Sequence, residues 1–67
     1  MNTVQAIRQA VGRAGLTGLQ IEKLKIMSGP SYSRKIRDPS KFTLGELKKL
    51  NKEVNFTDEE IRALFSN

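Results

Sequence analysis

Between Ser31 and Arg37 the chain sets two hydroxyls and three cations, Ser31, Ser33, Arg34, Lys35 and Arg37, around two apolar side chains, Tyr32 and Ile36. Tyr32 and Ile36 are spaced i, i+4, which on a helix puts them on one face. Ser31, Arg34 and Lys35 then point the other way, with Ser33 at the edge and Arg37 at the helix end. A guanidinium can meet a guanine edge with two parallel hydrogen bonds, while Ser, Lys and the first amides of a helix can hold phosphates. The chemistry on offer is recognition of anions and base edges. On charge alone the same residues also fit a solvated face of an amphipathic helix.

Bond-making chemistry is poorly supplied. The 67 residues contain no Cys and no His, which removes disulfides, thiolate nucleophiles, the common zinc sites and every His-based triad. The dense carboxylate group, Asp58, Glu59 and Glu60, falls in a first helical turn, where the helix dipole favours acids anyway. No enzyme, metal or cofactor is therefore expected. The aromatic residues are expected in the core, leaving no platform on which RNA bases could stack. The opening MNTVQAIRQ lacks a basic region followed by an apolar run, and no apolar stretch reaches bilayer length, so a cytoplasmic protein without membrane contact is expected.

The net charge of +5 is unevenly distributed. Residues 1–45 hold eight Lys or Arg against Glu22 and Asp38, whereas residues 46–67 hold four against five acids. A basic stretch beside a balanced one suits a domain that turns one face to a polyanion.

The elements that must position these groups are announced by their starts. Ser or Thr at a helix cap with Glu or Gln three residues on satisfies the first free N–H groups, and flanking apolar residues staple across them. Thr17 with Gln20, Thr43 with Glu46 and Thr57 with Glu60 fit this pattern, with staples Leu16/Ile21, Phe42/Leu47 and Phe56/Ile61. Ser28 is a weaker start, with Ser31 in the Glu position and Met27 opposite Tyr32. The spacing predicts a first helix over about 3–14, needing no such cap, with Val4, Ile7 and Val11 inward and Gly15 as its stop. A short second helix from Thr17 carries Ile21 and Leu24 inward until Ser28, Gly29 and Pro30 interrupt it. The third runs to Arg37, where Asp38–Pro39 stops it. A fourth, about 44–54, stripes Leu44, Leu47, Leu50 and Val54; a fifth, about 58–66, does so with Ile61, Leu64 and Phe65. Lys48, Lys49 and Lys52 are expected to pair along the fourth helix with Glu46 and Glu53. The expected fold is all-α, five short helices in a single domain over residues 1–67.

Two short helices across a tight turn, the second with a basic outer face, form the helix-turn-helix element that lays a helix in the DNA major groove. The segment SYSRKIRDPSKFTLGELKKL (31–50) resembles the lambda-repressor-like, Cro-type helix-turn-helix domains, especially small phage and bacterial members, and the resemblance covers nearly the whole chain. In that family's twenty-residue unit Thr17 precedes the second helix, Ile21 takes its central apolar position, Met27 and Ser28 end the turn, and Tyr32 takes the core position of the third helix. The resemblance implies base reading at Gly29, Pro30, Ser31 and Arg34, and phosphate contacts at Ser40, Lys41 and Thr43. With the outward residues and the flanking Thr17 and Ser28, the expected DNA-binding set is Thr17, Ser28, Gly29, Pro30, Ser31, Ser33, Arg34, Lys35, Arg37, Ser40, Lys41 and Thr43.

Two departures stand out. The family usually has a small Ala in mid helix 2 and Gly in the turn, where this chain has Glu22 and Ile26. Its first two reading positions are usually long and polar, whereas Gly29 and Pro30 offer a base edge almost nothing. Direct readout then rests mainly on Arg34. The expected function is a phage-type transcriptional regulator or repressor that binds double-stranded DNA as a homodimer, since one short helix reads few bases. The alternative keeps the fold but acts on a partner protein, such as a companion repressor, as an antirepressor-like modulator. An open apolar cluster around Leu19, Phe56, Leu64 and Phe65 would favour it.

Overall fold

Every helix after the first begins at a hydroxyl, and those hydroxyls cap as the sequence predicts. A computed structural model describes residues 1–65 as α1 (Thr3–Ala14), α2 (Gly18–Lys23), α3 (Gly29–Arg37), a single 3-10 turn (Pro39–Lys41), α4 (Leu44–Val54) and α5 (Asp58–Phe65). The described residues are all-helical, without strand. Ser66, which the periodicity assigns to the fifth helix, lies outside them. The Thr17/Gln20, Thr43/Glu46 and Thr57/Glu60 boxes close in both directions, each hydroxyl accepting from an amide and each Gln or Glu accepting in return. The first helix has one as well: Asn2 Oδ1 accepts from the Gln5 amide at 2.9 Å and Gln5 Oε1 from the Asn2 amide at 2.8 Å. Ser28 caps α3 by accepting from the Ser31 amide, and Gly15 ends α1 at φ 72°, the left-handed stop expected of it.

The core gathers around α1, which packs against α3, α4 and α5. Ile7, Ala10, Ile21 and Leu50 have no exposed surface, and Val11, Ile26, Ile36, Phe42, Val54 and Phe56 close around them. Tyr32 is half-buried against this cluster, edge-on to Phe42 with ring centroids 6.5 Å apart.

Several apolar residues assigned inward are not. Leu24 is 44% exposed because α2 stops at Lys23 and Leu24 serves as its C-cap. Lys25 then takes a left-handed φ of 60°, which reverses the chain and delivers Ile26 to the core in its place. The left-handed residue of this turn is therefore Lys25, one position before Ile26, at which the resemblance leads one to expect Gly. A side chain there costs about 1–2 kcal/mol over Gly. Leu44, Ile61 and Phe65 are also exposed, since α4 and α5 turn Leu50, Val54, Glu60 and Ala63 inward. Ala14 is exposed and Val4 half-buried. No described helix is long and apolar enough to cross a membrane.

The first turn of α5, whose acids the sequence explains by the helix dipole and the Thr57 box, contains a buried carboxylate. Glu60 has no exposed surface, and its carboxylate accepts from both Arg13 nitrogens at 2.7 and 2.8 Å, from Gln9 Nε2 at 2.9 Å and from the Thr57 amide at 2.9 Å. Arg13 Nη2 also donates to the Val54 and Asn55 carbonyls at the end of α4. One guanidinium thus joins α1, the C-terminus of α4 and the N-terminus of α5. Its hydrogen bonds are the largest influence on Glu60; they outweigh burial and, with the Thr57 and Gln9 donors, hold the carboxyl at about 2 against an ordinary 4.5. The same pairing raises the Arg13 pKa.

A carboxylate whose pKa is depressed on folding contributes stability above its unfolded pKa and loses it as pH falls toward the folded one. Glu60 therefore stabilises the fold in full above pH 4.5 and progressively less down to about 2. Urea unfolding from neutral pH down to about 2 should show Glu60→Gln less stable than the wild type at neutral pH and the two converging in acid. Parallel curves, with a constant offset down to the lowest pH, would show that the pair does not titrate with folding.

Candidate nucleic-acid interface

The cationic face is built by two short helices that approach closely. The turn Leu24 to Ser28 separates α2 from α3, and the two helices pack directly on one another. Their contact is near enough that a Cβ built on Gly29 would stand 3.0 Å from Glu22 Oε2 and 3.9 Å from the Gly18 carbonyl. The start of α2, where Thr17 sits, is thereby set beside the start of α3. Glu22 uses the proximity: its Oε2 accepts from the Gly29 amide at 3.2 Å, adding a second cap to Ser28. Sequence reading has Glu22 only as a departure from Ala. The spacing of seven residues across a turn of unknown shape carries no signal for this bond.

Along α3 the hydroxyls and cations are linked to one another. Ser28 Oγ donates to Ser31 Oγ at 2.9 Å, and Arg34 Nη2 donates to the same Ser31 oxygen at 3.3 Å. Arg34, Arg37, Ser33 and Pro30 are exposed, and no carboxylate lies within ion-pair distance of Arg34 or Arg37 among the described residues. Lys35 differs. Its ammonium pairs with Glu46, the residue that also closes the cap of α4, and both side chains are largely covered. Burial tends to raise the Glu46 pKa, but the bonds from Lys35 and from Thr43 outweigh it and hold the carboxyl below its ordinary value. This pair also replaces the expected pairing within α4, since Lys48, Lys49 and Lys52 form no ion pair among the described residues.

Beyond α3, Asp38 and the 3-10 turn bring Lys41 round to Arg34 and Lys35, and these four residues line a shallow cleft. Ser40 Oγ donates to Asp38 Oδ1 at 2.7 Å, which ties the turn to the end of α3. Thr17 and Thr43 spend one hydroxyl lone pair on their caps and keep the hydroxyl proton to donate. Of the residues singled out in the sequence, the fold therefore gathers Arg34, Lys35 and Lys41 at one cleft and Thr17, Ser28 and Gly29 at the junction of α2 and α3. Gly29 faces α2 rather than solvent.

No family model, curated protein or solved structure matches the chain.

The contact at Gly29 makes a testable coupling. An added Cβ requires the Glu22 carboxylate to move off the Gly29 amide, whereas Ala otherwise suits a first helical turn better than Gly. Gly29→Ala should thus be less favourable in the wild type than in a Glu22→Ala background, by about 0.5–1.5 kcal/mol, the worth of the bond displaced. Chemical unfolding of the four proteins of this cycle measures it. Additive effects would mean that Glu22 does not hold α3.

Proposed function

We propose that the chain is a small, non-catalytic, cytoplasmic regulator of transcription, a helix-turn-helix domain of the lambda-repressor-like, phage-type class that binds double-stranded DNA. The observation that carries this reading is the close packing of α2 on α3 across a short turn, with Arg34 exposed on α3 and Lys41 brought up beside it. The resemblance of residues 31–50 and the basic excess of the first two thirds support the same reading. In it, α3 lies in the major groove, Arg34 meets a base edge, and Lys41, Arg37, Ser40 and the Thr17 and Thr43 hydroxyls meet phosphates. Gly29 and Pro30 contribute shape rather than hydrogen bonds. Lys35 contributes mainly by holding α3 to α4. With one principal base contact for each copy, two copies on a symmetric site are needed for useful specificity.

A second reading, a modulator that acts on a partner repressor or another protein, draws on an open apolar groove between α4 and α5 and on the bare leading edge of α3. Selection of binding sites from a randomised duplex pool, followed by anisotropy titrations at two salt concentrations, separates the readings. Arg34→Ala should cost about 1–3 kcal/mol and relax preference at one base pair, whereas Lys41→Ala should weaken all sequences alike and flatten the salt dependence. No enriched site, or binding indifferent to Arg34→Ala, would overturn the DNA reading and leave the protein-directed one.

A further inference from the structure

Arg34 is the cation of α3 that bonds within its own helix. Its Nη2 donates to Ser31 Oγ at 3.3 Å, and among the described residues it has no other side-chain bond and no carboxylate within ion-pair distance. Ser31 is itself held. Its oxygen accepts from the Ser28 hydroxyl at 2.9 Å, while the Ser28 oxygen accepts from the Ser31 amide at 3.2 Å. The hydroxyl that caps α3 thus occupies one lone pair of Ser31 and leaves the other to Arg34. The same turn is tied to α2 where Glu22 accepts from the Gly29 amide. A line of hydrogen bonds therefore runs along the start of α3 and ends on a cation.

The direction of that line has a consequence for recognition. Ser31 lies three residues before Arg34, about 4.5 Å back along the helix axis. The guanidinium is drawn over the first turn of α3, where Gly29 faces α2 and Pro30 carries no donor. A recognition helix meets base edges chiefly with its N-terminal residues, and here those residues have nothing to offer. We infer that Ser31 is a specificity-determining residue that touches no base: it holds the Arg34 guanidinium back over the bare leading edge, so that a side chain of the second turn reads the base pair facing the first. This deepens the DNA-binding reading and rests on it. One N–H of Nη2 is spent on Ser31, and the fork keeps a parallel pair of N–H groups for guanine N7 and O6. Adenine sets an amino group where guanine has O6, and cytosine offers only an amino group, so donors would face donors. The base selected is guanine.

The test joins the free protein to the complex. Without DNA, nuclear Overhauser contacts should link the Arg34 δ protons to the Ser31 β protons in the wild type and in Ser31→Thr, which keeps the hydroxyl, and should vanish in Ser31→Ala. Duplexes selected by the wild type are then titrated with guanine or another base at the position that Arg34→Ala relaxes. Ser31→Ala should lower the preference for guanine about three- to tenfold, the worth of one hydrogen bond. Binding to unselected duplex, its salt dependence and helical circular dichroism should stay unchanged, and Ser31→Thr should retain the preference. In an Arg34→Ala background, Ser31→Ala should change nothing. An Arg34 without contact to Ser31 in the free protein overturns the inference. So does a Ser31→Ala that weakens every duplex alike, as loss of a phosphate contact would, or one that alters base preference equally with and without Arg34, as loss of a direct reader would. Each of these leaves the DNA reading in place. A pool that yields no enriched site removes that reading and this inference with it.

Discussion

The Arg13 guanidinium is the constraint on which the arrangement of helices depends. A chain this short buries little surface, so its helices cannot all be held by apolar contact alone. Arg13 reaches from α1 to two carbonyls at the end of α4 and to the Glu60 carboxylate inside the first turn of α5. It thereby satisfies a helix C-terminus and a buried acid with one planar group, a task for which five fixed donors suit Arg and a Lys ammonium would not. Glu60 is covered completely by a partner that is itself partly exposed, so the pair gains from a lowered dielectric without full desolvation of both ions. With α1, α4 and α5 fixed in this way, the shared core around Ile7 and Leu50 leaves one side of α1 for α3.

The remaining half of the molecule is organised by short-range capping more than by bulk. Helix α2 has six residues and buries only Ile21, yet it is held at both ends, by the Thr17 box and by the Glu22 bond to Gly29. Helix α3 buries Ile36, half-buries Tyr32 and is tied to α4 by Lys35 and Glu46. Its cations consequently divide: Lys35 is committed to the fold, while Arg34 and Arg37 remain available at the surface. That division leaves Arg34 and Arg37 as the cations of α3 open to an outside group.

Local signals made the helices legible from sequence, because a cap needs only residues three apart. Thr17, Thr43, Thr57 and Ser28 all cap where the sequence says they should. Asn2 carries the same signal, with Gln5 three residues on, but its cap is an amide oxygen where the other starts use a hydroxyl. Apolar spacing was less informative at the edges of stripes: Leu24, Leu44, Ile61 and Phe65 have the right period, but a period does not say how wide a stripe the neighbouring helices can cover. Contacts between distant segments left no trace at all. Glu60 and Arg13 are 47 residues apart, and nothing in either neighbourhood separates a buried carboxylate from the two exposed acids beside it. For the candidate site, the outward placement of Arg34 was readable from Tyr32 and Ile36. The capture of Lys35 by Glu46 and of the Gly29 amide by Glu22 required the fold.

The meeting of Glu22 with Gly29 bears on how such a protein could change over generations. The leading edge of α3 is bare, and the simplest way to give it new contacts is to replace Gly29 with a longer residue. The Glu22 carboxylate already occupies the space into which that residue's first carbon would grow. Either order of change gives up the Glu22 bond to the Gly29 amide, and a side chain at 29 asks the exposed carboxylate end of Glu22 to swing aside. The two positions are therefore inherited as a pair in energetic terms: what a change at 29 costs depends on which side chain stands at 22.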